Sequence, residues 1–131
     1  MADLPVAQPG SLGRLVRSFG YAFRGVCFVL ATQANARIHA GVSVVVVALG
    51  FFLGLSQLEW CAVIAAIGLV WTAEALNTVF ETLIDLVSPE HHPLAGRVKD
   101  VAAGAVLCAT VTSAILGAMI FIPKLLFRLG F

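Results

Sequence analysis

Trp60-Cys-Ala-Val-Ile-Ala-Ala-Ile-Gly-Leu-Val-Trp-Thr-Ala-Glu74-Ala-Leu-Asn77-Thr-Val-Phe80 is the stretch on which the fold turns. Its uncharged part, Cys61 to Ala73, has 13 residues, whereas a hydrocarbon core of about 30 Å takes about 20 helical residues to cross. A spanning helix must therefore run on past Glu74 to about Phe80. That puts one carboxylate within the hydrocarbon depth and Glu81 near the opposite interface. A buried acid in lipid costs several kcal/mol unless it is paired, hydrated, protonated or bound to metal, so function is its first reading and interhelical hydrogen bonding the plainer one.

Working toward the N-terminus, Ser56, Gln57 and Glu59 make a short polar turn with Trp60 as an interfacial anchor. Before it, residues 38–55 carry no charge and form a first span, with Gly50 and Gly54 in a GxxxG that permits close helix approach. Further back, Leu12, Leu15, Val16, Phe19, Phe23, Val26 and Leu30 recur at helical spacing, with Arg14, Arg17, Tyr21 and Arg24 opposite them. This predicts an amphipathic helix over 11–37 lying in the membrane interface, its arginines among head groups or against phosphate. Residues 1–10 read as a loose leader, without the pattern of a cleaved signal peptide.

Toward the C-terminus, span two (60–87) is broken by Ser88, Pro89, Glu90, His91, His92 and Pro93, and the second proline suits the first turn of a new helix. Span three follows within 94–127, and Lys124 and Arg128 end it. Six basic residues (Arg14, Arg17, Arg24, Arg37, Arg97 and Lys99) flank the spans on one side and two on the other, which predicts a cytoplasmic N-terminus and 85–100 loop. The expectation is one all-α integral membrane domain over 1–131: a surface helix plus three transmembrane helices.

Composition agrees. The 131 residues are 60% hydrophobic and 11% charged, against roughly 45–50% apolar in soluble domains. A net charge of +1 without a basic run excludes a nucleic-acid partner. Cys27, Cys61 and Cys108 lie far apart in apolar sequence, so neither a disulfide framework nor a zinc site is expected.

Glu74, Asn77, Glu81 and Asp85 stand at offsets that project within a sector of roughly 80° on a helix. Carboxylates and an amide in one stripe suit a hard divalent cation such as Mg²⁺. Phosphoryl transfer needs such a cation on the phosphates and a base that takes the acceptor's proton. A base just below the interface meets a lipid hydroxyl; a metal site nearer water meets ATP. Lys99 and Asp100, beside Arg97, open span three on the same side, where a cation can neutralise polyphosphate. His91 and His92 alone are a weak metal signal. There is no GxxxxGK[ST] loop, GxGxxG turn or protein-kinase catalytic loop, so any kinase here has its own architecture.

The stretch Glu74-Ala-Leu-Asn77-Thr-Val-Phe-Glu81-Thr-Leu-Ile-Asp85, then His91-His92-Pro93-Leu94-Ala95 and Lys99-Asp100-Val-Ala-Ala-Gly-Ala-Val, resembles the signature of the prokaryotic diacylglycerol kinase family. The loop, the start of span three, and Asn35, Arg37, Ile38 and His39 are more similar to its undecaprenol kinase branch. The resemblance covers about Ser18 to Leu125. It implies a homotrimer in the bacterial inner membrane, with sites between subunits facing the cytoplasm, and an ATP- and Mg²⁺-dependent lipid kinase. By matching positions, Glu74 falls on the catalytic base and Glu81 on a magnesium ligand. Arg14, Tyr21, Glu81, Glu90, His91, His92, Lys99 and Asp100 fall on nucleotide-contacting positions, and Asn77 and Asp85 on supporting ones. The family's second metal-binding carboxylate aligns with Gln33, a neutral oxygen in place of a charged one.

The expected reaction is transfer of the γ-phosphate of ATP to undecaprenol. Diacylglycerol is the alternative acceptor, and a non-catalytic or degenerate membrane protein is the alternative of another class.

Overall fold

A computed structural model describes residues 11–90 and 92–130; the leader at 1–10 and His91 lie outside them. The described residues form four helices: α1 (Ser11–Thr32), α2 (Ala34–Leu53), α3 (Gln57–Val87) and α4 (Pro93–Leu129). All four, α1 included, are long and apolar enough to cross a membrane. The chain is an all-helical multi-pass membrane protein.

The helix expected over 11–37 divides at Gln33, whose backbone is extended (φ −99°, ψ 118°). No glycine or proline marks the break. The break leaves the Leu30 and Ala31 carbonyls without the amides of residues 34 and 35 as partners, and the Arg37 guanidinium donates to both at 3.2 Å. A side chain thus supplies what a helix end leaves unsatisfied. Residues 34–37 consequently begin α2, the span expected over 38–55.

The α2–α3 turn is built from caps. Gly54, at φ 65°, ends α2 in the left-handed conformation that glycine adopts without steric penalty, so it serves as a cap and not as half of a packing motif. Ser56 opens α3 with a reciprocal capping box: its N–H donates to Glu59 Oε2 at 2.7 Å and its Oγ accepts from the Glu59 N–H at 3.4 Å. Gly50 is buried under the Trp60 ring, where an added Cβ would come within 2.7 Å of it. At the same end Lys124 pairs with Glu59 at 3.1 Å, and Arg128 donates to the Phe52 carbonyl at 3.0 Å. The two basic residues that end α4 therefore tie it to both neighbouring helices.

α3 and α4 form the main packed pair. Val63, Val70 and Asn77 recur every seven residues on the buried line of α3, and α4 answers with Ala102, Val106 and Ala109. Alanines at the contact let the helices approach closely. His92 begins α4, its Nδ1 accepting from the Leu94 N–H at 3.2 Å, with Pro93 in the first turn.

Candidate functional site

Helix length sets where the polar residues meet. From the Gly54 turn, the 20 residues of α2 rise about 30 Å and end at Gln33. Counting about 20 residues along α3 from Trp60 reaches Phe80. Gln33 and Glu81 thus arrive at one level, about a membrane's thickness from the turn, and Gln33 Nε2 donates to Glu81 Oε2 at 3.0 Å. From the next turn of α3, Asn77 Nδ2 donates to Glu81 Oε1 at 3.0 Å. Each oxygen of Glu81 holds one carboxamide.

Glu74 lies one turn deeper and is 1% exposed, the most completely buried large side chain among the described residues. The Ala36 N–H, in the first turn of α2, bears on its carboxylate, as do His39 and Glu81. Neither carboxylate oxygen closes a hydrogen bond of good geometry with a described residue, and Asn77 Oδ1 is likewise buried and unpartnered. Buried polar atoms are nearly always hydrogen-bonded, so three orphaned oxygens within one turn mark a place built for something else. Thr78, also buried, spends its hydroxyl on the Glu74 carbonyl at 2.9 Å.

This set suits a hard cation: a carboxylate at Glu81 flanked by two carboxamides, each of which offers an oxygen on rotation, matches the one or two carboxylates by which Mg²⁺ is usually held, the rest of its shell being water and substrate phosphate. Among the described residues no three His, Cys, Asp or Glu side chains converge as a metal cage. The stripe does not close into one because Asp85, a turn beyond Glu81, is exposed and paired with Lys99 across the α3–α4 hairpin. That pair sets Lys99 at the open end of the cluster. Glu90, His92 and Asp100 are exposed nearby in sequence. Tyr21 is exposed on α1 beneath the Arg24 guanidinium, 4.7 Å from its ring centre, and Arg14 lies two turns further out.

An apolar crevice of about 350 Å³ runs between α2, α3 and α4, with His39 and Val70 among its lining residues and Phe121 and Leu49 further along. Val70 is one helical turn from Glu74 on the same face. The crevice therefore leads toward the buried carboxylate, within the ~300–1,000 Å³ range of small-molecule sites.

Sequence reading did not reach Ala36, His39 and Thr78 as neighbours of Glu74. Ala36 is fully buried, yet its type and spacing carry no signal of that. His39 was visible only as part of a resemblance.

A family model described as prokaryotic diacylglycerol kinase matches residues 20–121. The undecaprenol kinase of Bacillus subtilis (strain 168) is 42% identical over 114 residues, covering 87% of this chain and 93% of that protein. A diacylglycerol kinase of Synechocystis sp. (strain ATCC 27184 / PCC 6803 / Kazusa) is 40% identical over 113 residues, 86% of this chain and 65% of that protein. The diacylglycerol kinase of Escherichia coli (strain K12) is 28% identical over 102 residues, 78% of this chain and 84% of that protein. The chain belongs to the prokaryotic diacylglycerol kinase family.

Proposed function

We propose that this protein is a membrane lipid kinase that transfers the γ-phosphate of ATP to the hydroxyl of undecaprenol. The observation that carries the reading is Glu74, a fully buried carboxylate without a well-formed hydrogen bond on either oxygen, two turns from Glu81 and one turn from Val70, which lines an apolar crevice. The choice of undecaprenol rests on similarity to the Bacillus subtilis undecaprenol kinase over most of both chains.

In this mechanism the lipid lies with its hydroxyl at Glu74 and its chain in the crevice. Glu74 accepts the hydroxyl proton as the oxygen attacks the γ-phosphorus in line, the bond to the bridging oxygen of ADP breaks, and ADP leaves. A buried base without a well-formed hydrogen bond is poised for this step, and positioning supplies most of the remaining acceleration. Glu81, with the carboxamide oxygens of Gln33 and Asn77, would hold Mg²⁺. The ion, when bound, supplies positive charge to the phosphate oxygens. Lys99 neutralises polyphosphate charge at the open end, with Asp85 fixing its direction. Glu90, His91, His92 and Asp100 contact the nucleotide.

We place α1 in the interface and α2, α3 and α4 across the bacterial inner membrane, with the cluster on the cytoplasmic side where ATP is found. The excess of basic residues on that side supports this orientation. Assembly as a homotrimer would cover the apolar surface and complete the site.

The test is transfer of labelled γ-phosphate from ATP and Mg²⁺ to undecaprenol and to diacylglycerol, offered in parallel to purified protein. Preference for undecaprenol is expected. Preference for diacylglycerol would move the protein to that acceptor, and no transfer to either by folded protein would leave a non-catalytic role.

A further inference from the structure

We infer that Gln33 makes cation binding at Glu81 conditional on the arrival of the nucleotide, so that the metal enters with the phosphates and not ahead of them. This rests on the kinase reading for the identity of the nucleotide.

Gln33 is the one residue between α1 and α2, and its side chain makes no cap to its own helix. Its carboxamide instead crosses to Glu81. With Asn77 on the other oxygen, the Glu81 carboxylate is met on both sides by N–H hydrogens at a donor–acceptor distance of 3.0 Å. A hard cation needs oxygen there. Each amide must turn by about half a rotation about its last bond to exchange N–H for C=O, and both bonds to Glu81 are lost when they do.

Asn77 shows where that rotation leads. It is 6% exposed, and its Oδ1 has no partner in the present arrangement. Its nitrogen serves Glu81 while its oxygen stays unsatisfied, which is the arrangement of an amide serving one of two states. The cation-bound state satisfies the oxygen; the free state satisfies the nitrogen.

Charge decides between them. Gln33 and Asn77 are neutral, so Glu81 is the one formal charge within this trio, and a lone Mg²⁺ sheds its water reluctantly for so weak a set. A nucleotide triphosphate brings several negative charges and already holds a cation. Docked together, the two supply the charge that the amides lack and make both rotations favourable. A carboxylate at position 33 would remove this requirement, since it offers an oxygen and a charge without any rotation.

The experiment measures Mn²⁺ binding to purified protein in detergent from loss of the free-ion paramagnetic resonance signal, with and without a non-hydrolysable ATP analogue, the analogue's own uptake subtracted. The wild type is expected to bind Mn²⁺ at least about tenfold more tightly with the analogue present. Without it, Gln33→Glu is expected to bind at least about tenfold more tightly than the wild type, the effect of one added charge close to a divalent ion. Gln33→Ala, which loses the amide but adds no charge, is expected to stay within about threefold of the wild type. Asn77→Asp adds the charge from the opposite flank and serves in its place if Gln33→Glu does not assemble. Equal wild-type binding with and without the analogue, or no tightening in the charged variants, would overturn the inference. The nucleotide-free comparison is independent of turnover, so a protein that transfers no phosphate but shows the tightening counts against the kinase reading alone.

Discussion

At the scale of single residues, the site is a contrast between two acids seven positions apart. Glu81 is satisfied twice by amides, while Glu74 is fully buried and closes no well-formed hydrogen bond. Burying a polar group without partners works against folding, and proteins that keep one commonly exchange stability for activity. Glu74→Gln keeps the shape and removes the charge. It is expected to lower phosphoryl transfer by about 10²–10⁴-fold, the range of a positioned general base. The same variant should elute as the wild type does and melt no lower. Full activity would remove Glu74 from the role of base, and a collapsed elution profile would make it a structural residue. For Glu81→Ala the expected outcome is loss of transfer that raised Mg²⁺ partly restores, read as a shifted Mg²⁺ dependence at fixed ATP. An unchanged dependence would take the metal role away from Glu81.

At the scale of elements, the caps and close approaches decide how the helices register. Gly50 sits so close to the Trp60 ring that a methyl group there must displace it. Gly50→Ala is accordingly expected to cost about 1–3 kcal/mol, as overpacking usually does, visible as a lower melting temperature and altered Trp fluorescence with the α3–α4 pair retained. The Lys99–Asp85 pair should behave differently, because both side chains are substantially exposed, at 38% and 69%. Lys99→Met is expected to change stability by less than about 1 kcal/mol while raising KM for ATP; an unchanged KM would leave the pair as a hairpin tie only.

The same elements mark what sequence makes legible. The long apolar helices α2, α3 and α4 were readable because lipid demands about 20 apolar residues per crossing, and the burial of Glu74 was readable because a charge inside such a run is conspicuous. The helix break at Gln33 was not, since it depends on Arg37 reaching back to two carbonyls and leaves no glycine or proline behind. The meeting of Gln33 with Glu81 was legible only through the family resemblance, which set both at one metal site. Their bond joins residues 48 apart, and only the matched lengths of α2 and α3 bring them level.

At the scale of the whole molecule, α1 carries its outer end away from the cluster at Glu81. Arg14 stands 19 residues before Gln33 along α1, which at 1.5 Å per residue is about 28 Å. Gln33 is bonded to Glu81, so the outer end of α1 lies far beyond the reach of an arginine side chain from its own cluster. If Arg14 contacts the nucleotide, as its position in the family pattern implies, it does so at the site of a neighbouring subunit. The exposed apolar faces of α2, α3 and α4 leave ample surface for such an assembly. Subunit mixing reads this directly. Glu74→Gln and Arg14→Ala chains, each expected to be inactive alone, are co-expressed and purified as mixed oligomers through two different tags. Every trimer that holds both chains has one shared site of its three with both residues intact, so activity should return to roughly a third of wild type if the sites act independently. No recovery in oligomers shown to contain both chains would mean that Arg14 and Glu74 serve within one chain or that Arg14 has no part in the reaction.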